Sequence, residues 1–103
     1  MSDTMIIITG TTHPGMRDRV HEKFVEHLAA RAEANPAQPV VVWAADDSDP
    51  DRFHLVEIYT DRAALEQNAQ ADWFGNYMTA TFTLMASEPT VAMSSPRWTK
   101  GVR

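Results

Sequence analysis

Two runs of this chain are apolar at consecutive positions instead of alternate ones. Met5-Ile6-Ile7-Ile8-Thr9 and Pro39-Val40-Val41-Val42-Trp43-Ala44-Ala45 place β-branched or aromatic residues on both sides of a pleat. Strands read this way when both faces of their sheet are covered. A chain of 103 residues, 44% hydrophobic and 22% charged, builds one core around such strands and has too little material for a second. The fold must therefore find cover for both faces of a single sheet.

Two helical patterns supply the cover on one face. His13-Pro14-Gly15 turns the chain, because proline extends the residue before it and glycine relieves the backbone. From Met16 the apolar positions Val20, Phe24, Leu28 and Ala32 then recur every fourth residue, with Val25 alongside, while Asp18, Glu22, Glu26 and Glu33 take the other side. This helix ends near Asn35-Pro36. A third strand, Phe53-His54-Leu55-Val56-Glu57-Ile58-Tyr59, feeds through Thr60-Asp61 into a long helical pattern from Arg62 past Trp73 and Tyr77. The Asp61 carboxylate can accept from free N–H groups of the first turn, so it marks the helix start. After Pro89, Thr90-Val91-Ala92-Met93-Ser94 is a shorter strand, and Ser95 to Arg103 is a tail. The order β-α-β-β-α-β predicts one ferredoxin-like α+β domain over residues 1–103, a four-stranded antiparallel sheet with two helices on one face. The second face stays bare, and a second copy packed sheet to sheet covers it, so a homodimer is expected.

In the second helix, Leu65, Ala69, Trp73, Tyr77, Ala80 and Leu84 share the arc expected to face the sheet. Phe74, Met78, Phe82 and Met85 form a roughly opposite arc that needs cover of its own. Between them lie Asn68, Asp72, Asn76, Thr79 and Thr83, which read either as a solvated stripe or as the wall of a cavity. A break near Ala71-Asp72, with Asp72 capping a segment that opens at Trp73, would put the two halves on different angular frames.

Composition narrows the function. The net charge of −5, with nine scattered basic residues, argues against nucleic acid or an anionic membrane as partner. The absence of cysteine removes disulfides, thiolate metal sites and a cysteine nucleophile, and fits a reducing compartment. No apolar run is long enough to span a bilayer and the N-terminus lacks a signal-peptide layout, so a cytoplasmic location is expected. The acidic connection Asp46-Asp47-Ser48-Asp49-Pro50-Asp51 is no calcium loop: counted from Asp47, Arg52 and Ile58 stand where such a loop needs glycine and glutamate. His21 and His27 are too far apart around the helix to form a metal pair. Gly10, Gly15, Gly75 and Gly101 are too dispersed for a phosphate loop. No metal site is expected.

Pro14-Gly15-Met16-Arg17-Asp18 opening the first helix, the strand from Asp51 to Tyr59, Asp61-Arg62-Ala63-Ala64-Leu65, and Trp73-Phe74 in the second helix together resemble the antibiotic-biosynthesis monooxygenase (ABM) family. That resemblance implies a dimeric α+β barrel and a cofactor-free monooxygenase that joins an aromatic or quinol-type small molecule to molecular oxygen. Where the family's second helix often carries histidines, this chain has Asn68 and Asp72, and the helix holds no histidine at all. The axial ligand of the family's haem degraders is therefore missing, which makes haem binding or degradation the lesser reading. No cofactor is expected. A non-catalytic small-molecule binder or interaction protein of the same fold is the alternative from another class.

In a cofactor-free oxygenase the substrate supplies the electrons. A phenol or hydroquinone loses a proton and its anion reduces dioxygen, so the protein needs an apolar pocket, a proton acceptor and donors for developing oxyanions. Trp73, Tyr77, Phe74 and Met78 are candidate walls, with Trp73 and Tyr77 reading equally as core aromatics. Asn68 and Tyr77 are candidate donors. Asp72 is either a proton acceptor, if burial raises its pKa, or a helix cap. His54 is a candidate base and His21 a candidate pocket residue, each with the alternative of a satisfied structural group. Glu57 shares a strand face with Phe53, Leu55 and Tyr59, so it either pairs, with an arginine of the same chain or of the partner, or titrates abnormally.

Overall fold

The computed structural model describes residues 3–101; the last two residues of the expected tail, 102 and 103, lie outside them. Strands β1 (Thr4–Thr11), β2 (Val40–Ala45), β3 (Arg52–Tyr59) and β4 (Thr90–Ser94) form one sheet in the order β2-β3-β1-β4, every neighbouring pair antiparallel. This is the expected ferredoxin-like α+β arrangement. In the register, Leu55 stands opposite Ile8 and Trp43, and Val56 opposite Ile7 and Val42. Alternation then sends Ile8, Val41, Trp43, Leu55, Glu57 and Tyr59 toward the helices, and Met5, Ile7, Val40, Val42, His54 and Val56 to the other face. β1 runs on past its apolar stretch because Gly10 and Thr11 still pair with Phe53 and Arg52. Gly10 is required there: an added Cβ would lie 2.6 Å from the Phe53 ring.

The first helical stretch is one rod in three parts, α1 (Arg17–Phe24), a π-helical turn (Val25–Ala29) and α2 (Ala30–Ala34). A stripe repeating every fourth residue drifts around an α-helix of about 3.6 residues per turn. The wider π turn absorbs that drift. Leu28 is thereby buried and Ala32 half-buried against the sheet, while Val25 is left exposed.

The second stretch does break, into α3 (Arg62–Ala69) and α4 (Asp72–Phe82). Asp61 Oδ1 accepts from Ala64 N at 2.8 Å, the expected cap. The cap expected from Asp72 is not formed: Ala71 is the N-cap, without a side-chain hydrogen bond, and Asp72 is the first helical residue, exposed, where the helix dipole favours its charge. α4 stops at Phe82, short of Met85, which instead bridges to Thr12.

Phe24, Leu28, Leu55 and Tyr77 form the core between sheet and helices, with Ile8, Val41, Trp43, Trp73 and Phe74 packed around it. On the opposite sheet face Ile58 is buried, Met5, Ile7, Val40 and Val56 are half-buried, and Val42 is 49% exposed. Of the second arc on the long helix, Phe74 joins the core margin, whereas Met78 and Phe82 are open to solvent. No helix among the described residues is long and apolar enough to cross a membrane.

Candidate functional site

The helix-covered face carries a small cavity. Phe24, Leu28 and Ala32 come from the first rod, Val41 from β2, Glu57 and Tyr59 from β3, Asn68 from α3, Trp73 and Phe74 from α4, and Gln38 from the connection before β2. Its volume is about 30 Å³, space for roughly one or two waters. An aromatic ring enters only if a wall gives way. The wall best placed to do so is α3, which buries no side chain and packs chiefly on β3 and α4.

Four polar side chains meet inside. Gln38 Nε2 donates to Glu57 Oε1 at 2.6 Å and to the Tyr59 hydroxyl at 3.0 Å. Tyr59 donates to the same Glu57 Oε1 at 2.6 Å. Asn68 Nδ2 donates to Tyr59 Oη at 3.2 Å and to Gln38 Oε1 at 3.4 Å. Every donor that reaches Glu57 uses Oε1, which leaves Oε2 without a protein partner. Among the described residues no arginine reaches this carboxylate, so the arginine pair is not formed among them. Burial raises the Glu57 pKa, because desolvation outweighs the hydrogen bonds from Tyr59 and Gln38, which pull it down. Tyr59 is likewise raised, by desolvation and then by the charge of Glu57. Tyr77, buried in the adjacent core, is pushed up to about 12 by the same two causes.

The candidates named from sequence divide around this cluster. Asn68, Trp73 and Phe74 line the cavity, and Tyr77 packs beside Phe74 with ring centroids 6.3 Å apart. Met78 and Asp72 face solvent. Of the polar wedge on the second helix, only Asn68 turns inward; Asp72, Asn76, Thr79 and Thr83 form the solvated stripe. The His21 ring lies tilted against Trp43 at 4.6 Å, and Trp43 stacks on Phe53 at 5.2 Å, away from the cavity lining. The Trp43 Nε1 beneath them is buried without an acceptor, which costs about 1–3 kcal/mol.

His54 lies across the sheet from the cavity. Its Nε2 donates to Asp46 Oδ2 at 2.8 Å, and Nδ1 of the neutral ring accepts from the Thr9 hydroxyl at 3.0 Å. The hydrogen bond from His54 is the main reason that Asp46 titrates below the ordinary aspartate range.

Gln38 and Tyr59 were not singled out from sequence. Tyr59 was signalled by its alternation with Glu57. Gln38 had only a faint mark, a lone amide between Pro36-Ala37 and Pro39. Among the described residues no three His, Cys, Asp or Glu side chains gather in a way that holds a metal.

No family model matches the sequence, nor does any curated protein. Solved structures do match in fold. A candidate antibiotic biosynthesis monooxygenase from Chloroflexus aurantiacus superposes with a TM-score of 0.84 at 20% identity, covering 99% of this chain and 100% of that one. One from Nitrosomonas europaea gives 0.88 at 14% identity, covering 97% and 95%. One from Caulobacter crescentus gives 0.85 at 21% identity over 92% and 90%. At such identities the likeness is one of architecture: this chain has the ferredoxin-like α+β fold of structures described as candidate antibiotic biosynthesis monooxygenases.

Proposed function

We propose that this chain is a cofactor-independent monooxygenase of an electron-rich phenol or hydroquinone, acting as a cytoplasmic homodimer, with Glu57 as the proton acceptor. The observation that carries the reading is the Glu57 carboxylate, largely buried at a small helix-covered cavity with both donors on Oε1 and none among the described residues on Oε2. Desolvation makes a carboxylate a stronger base than it is in water. The substrate hydroxyl gives its proton to Oε2, and the phenolate passes an electron to dioxygen. Recombination forms a C–O bond at a ring carbon bearing hydrogen. The O–O bond then breaks with loss of that hydrogen, so one oxygen atom stays as a quinone carbonyl and the other leaves as water. Asn68 holds the phenolate oxygen in this reading by giving up the long contact, 3.4 Å, of its Nδ2 to Gln38 Oε1. Trp73 and Phe74 supply faces for the ring.

The role given to Asp72 from sequence passes to Glu57 in this reading because Asp72 is exposed and Glu57 is mostly buried. The homodimer is supported by the apolar sheet face of Met5, Ile7, Val40, Val42 and Val56, half-buried except for the exposed Val42, which a second copy would bury.

Oxygen uptake with hydroquinones tests the chemistry. Glu57→Gln, which keeps size and acceptor oxygen, is expected to lower uptake about 100-fold or more, while Asp72→Asn leaves it intact. Uptake no faster than buffer, or unchanged in Glu57→Gln, overturns the reading. Binding without uptake leaves a non-catalytic small-molecule binder.

A further inference from the structure

The cavity has a cation at its rim that no carboxylate among the described residues neutralises. Arg31 follows the π turn on α2, next to Ala32 and one turn beyond Leu28, both of which line the cavity. Its Cζ stands 4.9 Å from the centroid of the Trp73 ring, another cavity wall.

The other arginines of the helices and sheet are all engaged. Arg17 Nη1 donates to the carbonyls of Asp46, Asp49 and Arg52. Arg19 pairs with Glu22, Arg52 with Asp49 and Arg62 with Glu66. Among the described residues no carboxylate comes within 4.0 Å of the Arg31 guanidinium. A guanidinium held over an aromatic face keeps its in-plane N–H groups for a planar acceptor, and a carboxylate matches that fork with two parallel hydrogen bonds.

Resting on the reading that the cavity takes a phenol, we propose that the substrate is an anionic aromatic, a hydroxyaryl carboxylic acid, with its carboxylate on Arg31 and its hydroxyl on Glu57. The two ends of the site impose this orientation. Glu57 repels a second carboxylate from the inner end, where Asn68 and Tyr59 instead suit a hydroxyl. Arg31 offers the outer end a charge-assisted contact that an uncharged hydroquinone cannot use. The overall charge of −5 works against long-range attraction of an anion, so the preference is local. The exposed Asp72 and Glu33 are the acids nearest in sequence to Trp73 and Arg31, and they set a limit on it.

The test compares 2,5-dihydroxybenzoate with hydroquinone, which differ only by the carboxylate, in anaerobic titrations of the full chain followed by tryptophan fluorescence and calorimetry. The carboxylate is expected to bind roughly tenfold tighter, as a charge-assisted hydrogen bond provides. That ratio should fall to within about twofold in Arg31→Gln, persist in part in Arg31→Lys, and grow in Asp72→Asn. Arg31 is exposed, so these variants fold as the parent does, which circular dichroism checks. Equal affinity for the two compounds, binding of neither, or a ratio that survives Arg31→Gln overturns the proposal. Because the titration involves no turnover, a preference without oxygen uptake removes the monooxygenase and keeps the anion site. Uptake without a preference does the reverse.

Discussion

Strand β3 carries two acid-centred clusters on opposite faces, and the same type of group behaves oppositely in each. On the helix side, Glu57 accepts from Tyr59 and Gln38 yet titrates above its ordinary value, because its burial under the helices outweighs those hydrogen bonds. On the open side, Asp46 accepts from His54 and from the Ser48 and Asp49 backbone and titrates below its ordinary value, because those hydrogen bonds, the one from His54 first, outweigh its desolvation. Each carboxylate has donors, so hydrogen bonding does not separate them. Burial does. In the proposed reading the carboxylate on the covered face is therefore the stronger base, while the acid on the open face holds His54 and the β2–β3 loop in place.

The largest expected contrast between the faces is in packing. Leu55→Ala, in the core, should cost about 3 kcal/mol in urea denaturation, as buried leucine truncations do. Val42→Ala, half in water, should cost less than about 1 kcal/mol in a lone chain. If two copies bury the open face, the Val42→Ala penalty instead grows with protein concentration, and a concentration-independent small penalty breaks the dimer.

Next comes pH. Glu57 binds its proton more tightly folded than unfolded, so stability is full below the ordinary glutamate value of 4.5 and declines as pH rises through the shifted value. Glu57→Gln should abolish that decline and leave the protein more stable at neutral pH. Asp46 has the opposite sign: its contribution is present above the ordinary value of 3.8 and is lost as pH falls through the lowered one. Asp46→Asn should flatten the acid limb of the stability curve, the smallest of these effects, because a solvated pair is screened. Thermal melts from pH 3 to 9 read both slopes, and equal slopes would erase the contrast.

What could be read from the residues alone follows the range of the interactions. The strands, their order and the Asp61 cap rest on local pattern, and they were legible. The break before Asp72 was legible as a position but not in its chemistry, since Ala71 caps α4 without a side chain. The π turn was hidden, because Val20, Phe24, Leu28 and Ala32 look regular on paper and only packing on a flat sheet exposes their drift. The polar cluster was hardest. Gln38 meets Glu57, Tyr59 and Asn68 from 19, 21 and 30 positions away, and no local rule links a proline-flanked amide to a strand carboxylate. Asp72 drew attention as an acid beside two aromatics, but helix phase turns it outward, while Glu57, read as one half of an arginine pair, is the acid that the fold encloses.

The most direct measurement is a site-resolved ¹³C NMR titration of the side-chain carboxyls. Glu57 should titrate above 4.5 and Asp46 below 3.8, with the Glu57 midpoint returning toward 4.5 when Phe74→Ala opens the cavity to water. A Glu57 midpoint at or below the ordinary glutamate value would contradict a desolvated base on the covered face, and with it the chemistry assigned to the cavity.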